Sequence, residues 1–195
     1  MDADPRPFGQ LTAGLPDEAF VTDGLLTKRV LRAYALAMLA PVGNELLWDL
    51  GAGTGSIGIE WCRCDAGNSA VAVERDPERV SRIGSNAASL GVAAQLRVVA
   101  ADVLDALPGL PSPDAVFVGG GVTGDTLSRC WAALPSGGRL VAHSVTAESD
   151  AVLLDAYRTR GGELCRIAVE NAEPIGRFTG FKPLRTVTAW AARKA

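Results

Sequence analysis

Residues 46–58 read Leu-Leu-Trp-Asp-Leu-Gly-Ala-Gly-Thr-Gly-Ser-Ile-Gly: an apolar run, an acid, and glycines at 51, 53, 55 and 58. The pattern is a buried strand entering a glycine turn that opens a helix. Gly53, Gly55 and Gly58 form a literal G-x-G-x-x-G, the spacing with which dinucleotide sites bring backbone N–H groups onto a pyrophosphate. Asp49, two residues before Gly51, argues against phosphate. A carboxylate at the mouth of that strand repels a pyrophosphate and favours a cationic ligand. S-adenosylmethionine carries an ammonium, a sulfonium and no phosphate, and so meets that demand.

Two further acids support the same site. The strand-like run Ser-Ala-Val-Ala-Val ends at Glu74, placed to accept from the ribose hydroxyls of an adenosine ligand. The apolar stretch 96–101 ends at Asp102, placed to accept from an adenine amino group while the backbone of Asp102 and Val103 follows the ring edge. Each acid singly reads first as a helix cap or a solvated turn residue. Three in order at strand ends, the first beside a glycine turn, point to one pocket.

Helical spacing of Val30, Leu31, Tyr34, Met38 and Leu39 predicts a helix over 27–39, stopped by Pro41 and Gly43. Strands are expected at 45–50, 69–74, 95–100, 114–118 and 139–144, alternating with helices at 55–64, 77–90, 124–134 and 148–160 and a helical turn near Leu104. Segments 163–171 and 184–193 read as two strands without an intervening helix, joined by Pro174 to Pro183, and are expected to form an antiparallel hairpin at one sheet edge. The expected fold is α/β: a Rossmann-like three-layer sandwich with a mostly parallel seven-stranded sheet and an antiparallel C-terminal hairpin. Residues 1–13 read as a flexible lead and 14–195 as a single domain.

Composition narrows the function. A net charge of −3 without a basic stripe argues against nucleic acid as a partner. No apolar run approaches the roughly 20 residues of a membrane span, and the opening Met-Asp-Ala-Asp-Pro lacks the core of a secretory signal, so a cytoplasmic protein is expected. Cys62, Cys64, Cys130 and Cys165 have neither zinc nor C-x-x-C spacing and read as reduced, buried thiols. His143 is the sole histidine and no nucleophile elbow is present, which disfavours a Ser-His-Asp hydrolase and a histidine metal site; no metal is expected.

From about residue 14 onward the chain resembles the class I S-adenosylmethionine-dependent methyltransferases. A narrower likeness is to the precorrin-6B methyltransferases of cobalamin biosynthesis. It is carried by Gly14-Leu15-Pro16-Asp17-Glu18-Ala19-Phe20, Asp23-Gly24-Leu25-Leu26-Thr27-Lys28-Arg29, the run 47–61, Phe117-Val118-Gly119-Gly120-Gly121, Val145-Thr146-Ala147-Glu148-Ser149 and Gly176-Arg177-Phe178-Thr179-Gly180-Phe181. The resemblance implies that Thr27 contacts the cofactor, that Gly51, Ala52, Gly53, Thr54 and Gly55 pass beside its methionine part, and that Glu74 and Val103 hold ribose and adenine. It implies a tetrapyrrole substrate methylated at C15, with loss of carbon dioxide from the C12 acetate arm. It implies a homo-oligomer, a tetramer in relatives, and leaves two arrangements open: a stand-alone C15-methyltransferase, or one with a C5-methylating precorrin methyltransferase as companion domain or chain.

A substrate rich in carboxylates on a mildly acidic protein needs focused cations. Lys28, Arg29, Arg177, Lys182 and Arg185 are the candidates, with Arg177 foremost; Gly120, Gly121 and Phe178 are expected on the substrate side. Phe178, Phe181 and Trp48 read as an apolar wall or as core, core being preferred for Trp48. His143, Glu148 and Arg177 are the candidates for orienting the substrate, and no catalytic residue is singled out. For His143 the preferred reading is a satisfied strand-end histidine; the other is a donor to a carboxylate or a group titrating near neutrality. The precorrin family pattern expects a small polar residue such as Asn there. Glu148 reads first as an acid in a helix's first turn. Two other functions compete. A methyltransferase acting on RNA or protein needs a basic groove or an N-P-P-Y-type pocket, where Gly119 to Gly121 stand instead. A non-catalytic tetrapyrrole-binding module has no use for an intact glycine turn with Glu74.

Overall fold

The computed structural model describes residues 13–195; the expected lead at 1–13 falls outside them but for Ala13. The main sheet comprises β1 (Leu46–Leu50), β2 (Ser69–Glu74), β3 (Leu96–Ala100), β4 (Ala115–Val118), β5 (Arg139–Ser144), β6 (Glu163–Ile167) and β9 (Val187–Arg193). Its spatial order is β3-β2-β1-β4-β5-β9-β6. The first five strands are parallel neighbours, and β1 lies between β2 and β4. The chain therefore reverses its direction of travel across the sheet beside β1. The crevice at the carboxyl ends of the strands there is where open α/β sheets bind ligands.

Strands buried on both faces read as continuous apolar runs, and β1 is such a run. Leu47 packs on one face with Leu36 and Trp61; Trp48 and Leu50 pack on the other with Leu127 and Trp190. Helices α1 (Arg29–Leu39), α2 (Ser56–Cys64) and α3 (Pro77–Ser89) cover the first face. The second carries α4 (Val103–Ala106), α5 (Gly124–Ala133) and α6 (Ala147–Arg160). Trp48 is a core residue, its Nε1 donating to the Pro111 carbonyl at 2.9 Å. The four cysteines are unpaired; Cys62 and Cys130 are buried, Cys64 and Cys165 half-buried.

Two expectations need correction. Helix α1 starts at Arg29 rather than at residue 27, because Lys28 is extended and the Asp17 carboxylate takes the Arg29 N–H at 2.9 Å. That leaves Thr27 and Lys28 free to border the crevice. In the C-terminal third the expected antiparallel edge pair forms, as β6 with β9, but the expected loop joining them does not. Strand β9 inserts between β5 and β6, antiparallel to both, so that β6 forms the edge. Between β6 and β9, a second pair, β7 (Glu170–Ile175) and β8 (Phe178–Pro183), forms its own two-stranded antiparallel ribbon. Both strands of a ribbon are edges, which is why Pro174 and Pro183 are tolerated inside it.

A buried ion pair fixes the segment preceding α1. Arg32 is wholly buried; its Nε donates to Glu60 Oε1 of α2 at 2.7 Å and its Nη1 to Asp17 Oδ1 at 2.7 Å. The same guanidinium donates to the carbonyls of Thr27 and Leu15 and lies 4.8 Å from the Phe20 ring centre. Glu60 in turn accepts the N–H groups of Gly14 and Leu15. Removing one partner strands the other's charge in the core, a loss of about 3–5 kcal/mol. Arg32→Leu is expected to lower unfolding free energy in urea by about that amount, and Arg32→Leu with Glu60→Leu to recover much of it.

Candidate active site

At the carboxyl ends of the strands lies a cavity of about 790 Å³. Its floor is the turn between β1 and α2. Gly51 has φ +67°, and a Cβ built on it falls 2.8 Å from the Gly120 nitrogen, so no side chain fits at that contact. The N–H groups of Gly51 and Ala52 donate to the Val73 carbonyl, and Gly119 N–H to the Leu50 carbonyl, locking the two loops to the sheet.

Asp49 is wholly buried beneath this turn. Its Oδ2 accepts the Gly58 N–H at 2.9 Å, and its Oδ1 has no partner among the described residues. Burial pushes the carboxyl up from 3.8 to about 7, opposed by the Gly58 bond and reinforced by the charge of Glu74. Glu74 is also buried; its Oε2 accepts Gly53 N–H at 2.9 Å, and its Oε1 accepts the N–H groups of Arg75 and Asp76. Asp102 caps α4, its Oδ1 taking the Leu104 N–H at 3.1 Å, and it is exposed at the cavity wall beside Val103.

The segment 24–28, which includes Thr27 and Lys28, forms a further wall. Asp23 anchors it, accepting Leu25 N–H and pairing with Arg79 at 2.9 Å and Arg82 at 3.1 Å. The Arg79 hydrogen bond chiefly, with the Leu25 N–H, holds the Asp23 carboxyl down at about 2. Asn86 of α3 supplies the second anchor. Its side chain exchanges hydrogen bonds with the Val21 backbone and donates to the Thr54 carbonyl, so one amide ties this segment to the glycine turn. Neither anchor was read from the sequence. Asn86 did leave a signal: it is polar yet falls on the apolar stripe of Ile83, Ala87 and Leu90.

Of the residues expected at the site, Thr27, Lys28, Asp49, Gly51, Ala52, Gly53, Thr54, Glu74, Asp102, Val103, Gly120, Gly121 and His143 line the cavity. Gly55 sits just behind it as the N-cap of α2. Arg185 borders it with Leu184. Arg29, Glu148, Arg177, Phe178 and Lys182 do not. Arg29 starts α1 on its exposed side, and Glu148 is an exposed acid in the first turn of α6. The other three ride on the β7–β8 ribbon, where Arg177 stacks on Phe178 and Lys182 pairs with Glu173 at 3.3 Å. The satisfied-histidine reading also fails. His143 is buried at the end of β5 with Nε2 lacking any partner among the described residues, and its ring meets the edge of Phe117 at 5.1 Å. Burial pushes it down from 6.5 to about 4. Among the described residues no group of His, Cys, Asp and Glu is arranged to hold a metal ion.

The sheet order and the glycine turn define a Rossmann-like methyltransferase domain. Residues 18–194 match the precorrin methyltransferase domain family, and the chain belongs to it. It is 50% identical over 185 residues to the decarboxylating precorrin-6Y C(5,15)-methyltransferase of Sinorhizobium sp., a match covering 94% of this chain and 45% of that protein. The chain thus spans less than half the length of that relative. It is 35% identical to a probable decarboxylating cobalt-precorrin-6B C(15)-methyltransferase of Pyrobaculum aerophilum, over 92% of this chain and 97% of that one. The crystal structure of the C-terminal domain of precorrin-6Y C5,15-methyltransferase from Rhodobacter capsulatus superposes with a TM-score of 0.90 at 39% identity, covering 95% of this chain and all of that one.

Asp49 and His143 oppose each other in acid. Asp49 binds its proton more tightly folded than unfolded, so the stability it confers is full below about pH 4 and is lost as pH rises through about 7. His143 binds its proton less tightly folded, so its contribution is present above about pH 6.5 and is lost as pH falls through about 4. Urea denaturation across pH 4–6.5 is expected to show stability rising with pH in Asp49→Asn and falling with pH in His143→Asn. The slopes should approach about 1.4 kcal/mol per pH unit, with a flatter profile in the unsubstituted protein.

Proposed function

We propose that this chain transfers the methyl group of S-adenosylmethionine to C15 of precorrin-6B and releases carbon dioxide from the C12 acetate arm. The observation that carries the reading is the unpartnered Asp49 Oδ1, buried under a turn that excludes side chains. A buried lone carboxylate oxygen asks for a cation, and the cofactor's ammonium provides one. The family to which the chain belongs supplies the substrate class.

Each lining residue then has a task. The Gly51–Gly55 turn borders the methionine part, and Asp102 with the Val103 backbone borders adenine. Glu74 Oε1 already accepts two N–H groups and Oε2 one, which leaves a single free position for a ribose hydroxyl. Leu25 and Val145, exposed apolar residues, share the cavity mouth with Lys28 and Arg185. An apolar rim set with cations suits a flat macrocycle edged with carboxylates. The cofactor supplies a methyl group already activated on sulfur. C15 receives electron density from the ring nitrogens, so the residues need only orient the macrocycle and exclude water.

The ribbon has a different role in this reading. Ile175, Phe178 and Phe181 are 64%, 67% and 71% exposed. We assign them to contacts between copies of the chain, as a tetramer, with a C5-methylating precorrin methyltransferase domain or chain as companion. Four unpaired thiols suit a cytoplasmic setting, where thiols stay reduced.

Incubation with precorrin-6B and S-adenosylmethionine should yield, by mass spectrometry, a product with one methylene gained and carbon dioxide lost. Unchanged substrate would overturn the reading. Glu74→Gln should weaken S-adenosylhomocysteine binding in calorimetry by about 1–3 kcal/mol. Phe178→Ser with Phe181→Ser should lower the mass measured by light scattering while leaving cofactor affinity intact.

A further inference from the structure

The charges around the cavity are sorted. Its carboxylates, Asp49, Glu74 and Asp102, lie on or just past β1, β2 and β3, to one side of the sheet order. The β5–β9 side brings no carboxylate to the cavity among the described residues. Lys28, Arg75, Arg79 and Arg185 are the cations that border it. The first three are already paired: Lys28 with Asp17 at 3.6 Å, Arg75 with Asp102 at 3.8 Å and Arg79 with Asp23 at 2.9 Å. Arg185 is exposed and has no hydrogen bond or ion pair among the described residues. Its backbone is nonetheless fixed. Leu184 N–H donates to the Val169 carbonyl at 2.8 Å, closing the base of the ribbon, and Val187 enters the ladder opposite Ile167. Strand β9 runs antiparallel to β5 with Thr188 opposite Ser144. Arg185, which precedes β9, therefore stands beyond the carboxyl end of β5. Val145, Leu184 and Val187, which border the cavity there, are apolar. A held backbone with an uncommitted guanidinium suits a carboxylate: it offers two parallel N–H donors, and no internal acid competes for them.

We propose that Arg185 is the residue that selects the methyl acceptor, by gripping one of its peripheral carboxylate arms. The proposal rests on the function given above and singles out one cation from the rim. The cavity is then electrically two-sided. The acids of β1 to β3 draw the cationic methyl donor to one side, and Arg185 draws the anionic acceptor to the other. Neither ligand gains by taking the other's place. The three paired cations are partly neutralised by their own acids and add less to this field. Arg185 holds the edge of the acceptor and takes no part in the transfer itself. Its loss is therefore read in KM and not in kcat.

The test is a split between constants. Arg185→Gln keeps the length and the hydrogen bonding and removes the charge. It is expected to raise KM for precorrin-6B by about tenfold, with kcat and the calorimetric affinity for S-adenosylhomocysteine unchanged. Arg185→Lys, which restores the charge without the fork, should fall between the two. An unchanged KM overturns the assignment, as does a parallel loss of S-adenosylhomocysteine affinity, which would place Arg185 on the donor side or in the frame of the loop. A Lys variant no better than the Gln variant overturns it too. A second measurement needs no variant. Precorrin-6B and its methyl ester, whose arms carry no charge, are compared for binding to the unsubstituted protein with S-adenosylhomocysteine present, by equilibrium dialysis read in absorbance. The ester should bind about tenfold more weakly, and raising sodium chloride should weaken the free acid more than the ester. An ester bound as tightly as the acid overturns the proposal even where the variants misfold. Absence of methylation by the unsubstituted protein would instead strike the function on which this rests.

Discussion

One guanidinium holds the site together. Arg32 is the meeting point of two carboxylates and two backbone carbonyls, from Asp17, Glu60, Leu15 and Thr27. They come from the segment before α1 and from α2, and burial makes their pairing obligatory. Through it, the segment 14–28 lies against α1 and α2 instead of leaving the sheet ends open. That wall of the cavity is therefore a product of core electrostatics and not of a loop's own preferences. Asp23 and Asn86 then fasten the same segment to α3 at its outer side.

The cavity behind that wall carries two unmet demands. Asp49 presents a lone oxygen under the glycine turn, and His143 a lone nitrogen at the far strand end. Each is disfavoured in its charged form by burial. Polar atoms left bare in a core cost stability unless something else completes them. A cation under the glycine turn would complete the first, which matches a positively charged methyl donor.

The alternating elements were legible because hydrophobic period and punctuation agreed. Asp76 and Pro77 before α3, and the glycines after β1, are local signals, and the structure follows them within a residue or two. The strand-end acids were legible for the same reason: parallel α/β topology delivers strand tips to one crevice. The ribbon was not legible. Pro174 and Pro183 read as loop, since a proline counts against a strand until one knows that the strand has a single neighbour. The misplacement of Arg177, Phe178 and Lys182 followed directly, because a loop between sheet strands would have folded back over the crevice, whereas a ribbon carries them off it. Arg32 and Asn86 left only a faint signal. Each is one polar letter on an apolar helical stripe, and its partners are set by long-range packing.

The contact between Gly51 and Gly120 has a consequence for how such a domain can diversify. The turn after β1 and the loop after β4 touch backbone to backbone, with no room for a β-carbon on Gly51. Gly51 cannot take on a side chain without displacing the Gly120 backbone, whereas a β-carbon on Gly120 meets only ordinary contact, 3.8 Å from the Gly51 Cα. Variation in what the cavity admits can enter at Gly120 and at the other borders, at Val145, Leu184 and Arg185, without touching Gly51. Change at those borders leaves the glycine turn untouched, so a lineage can retune one side of the cavity without relearning the other.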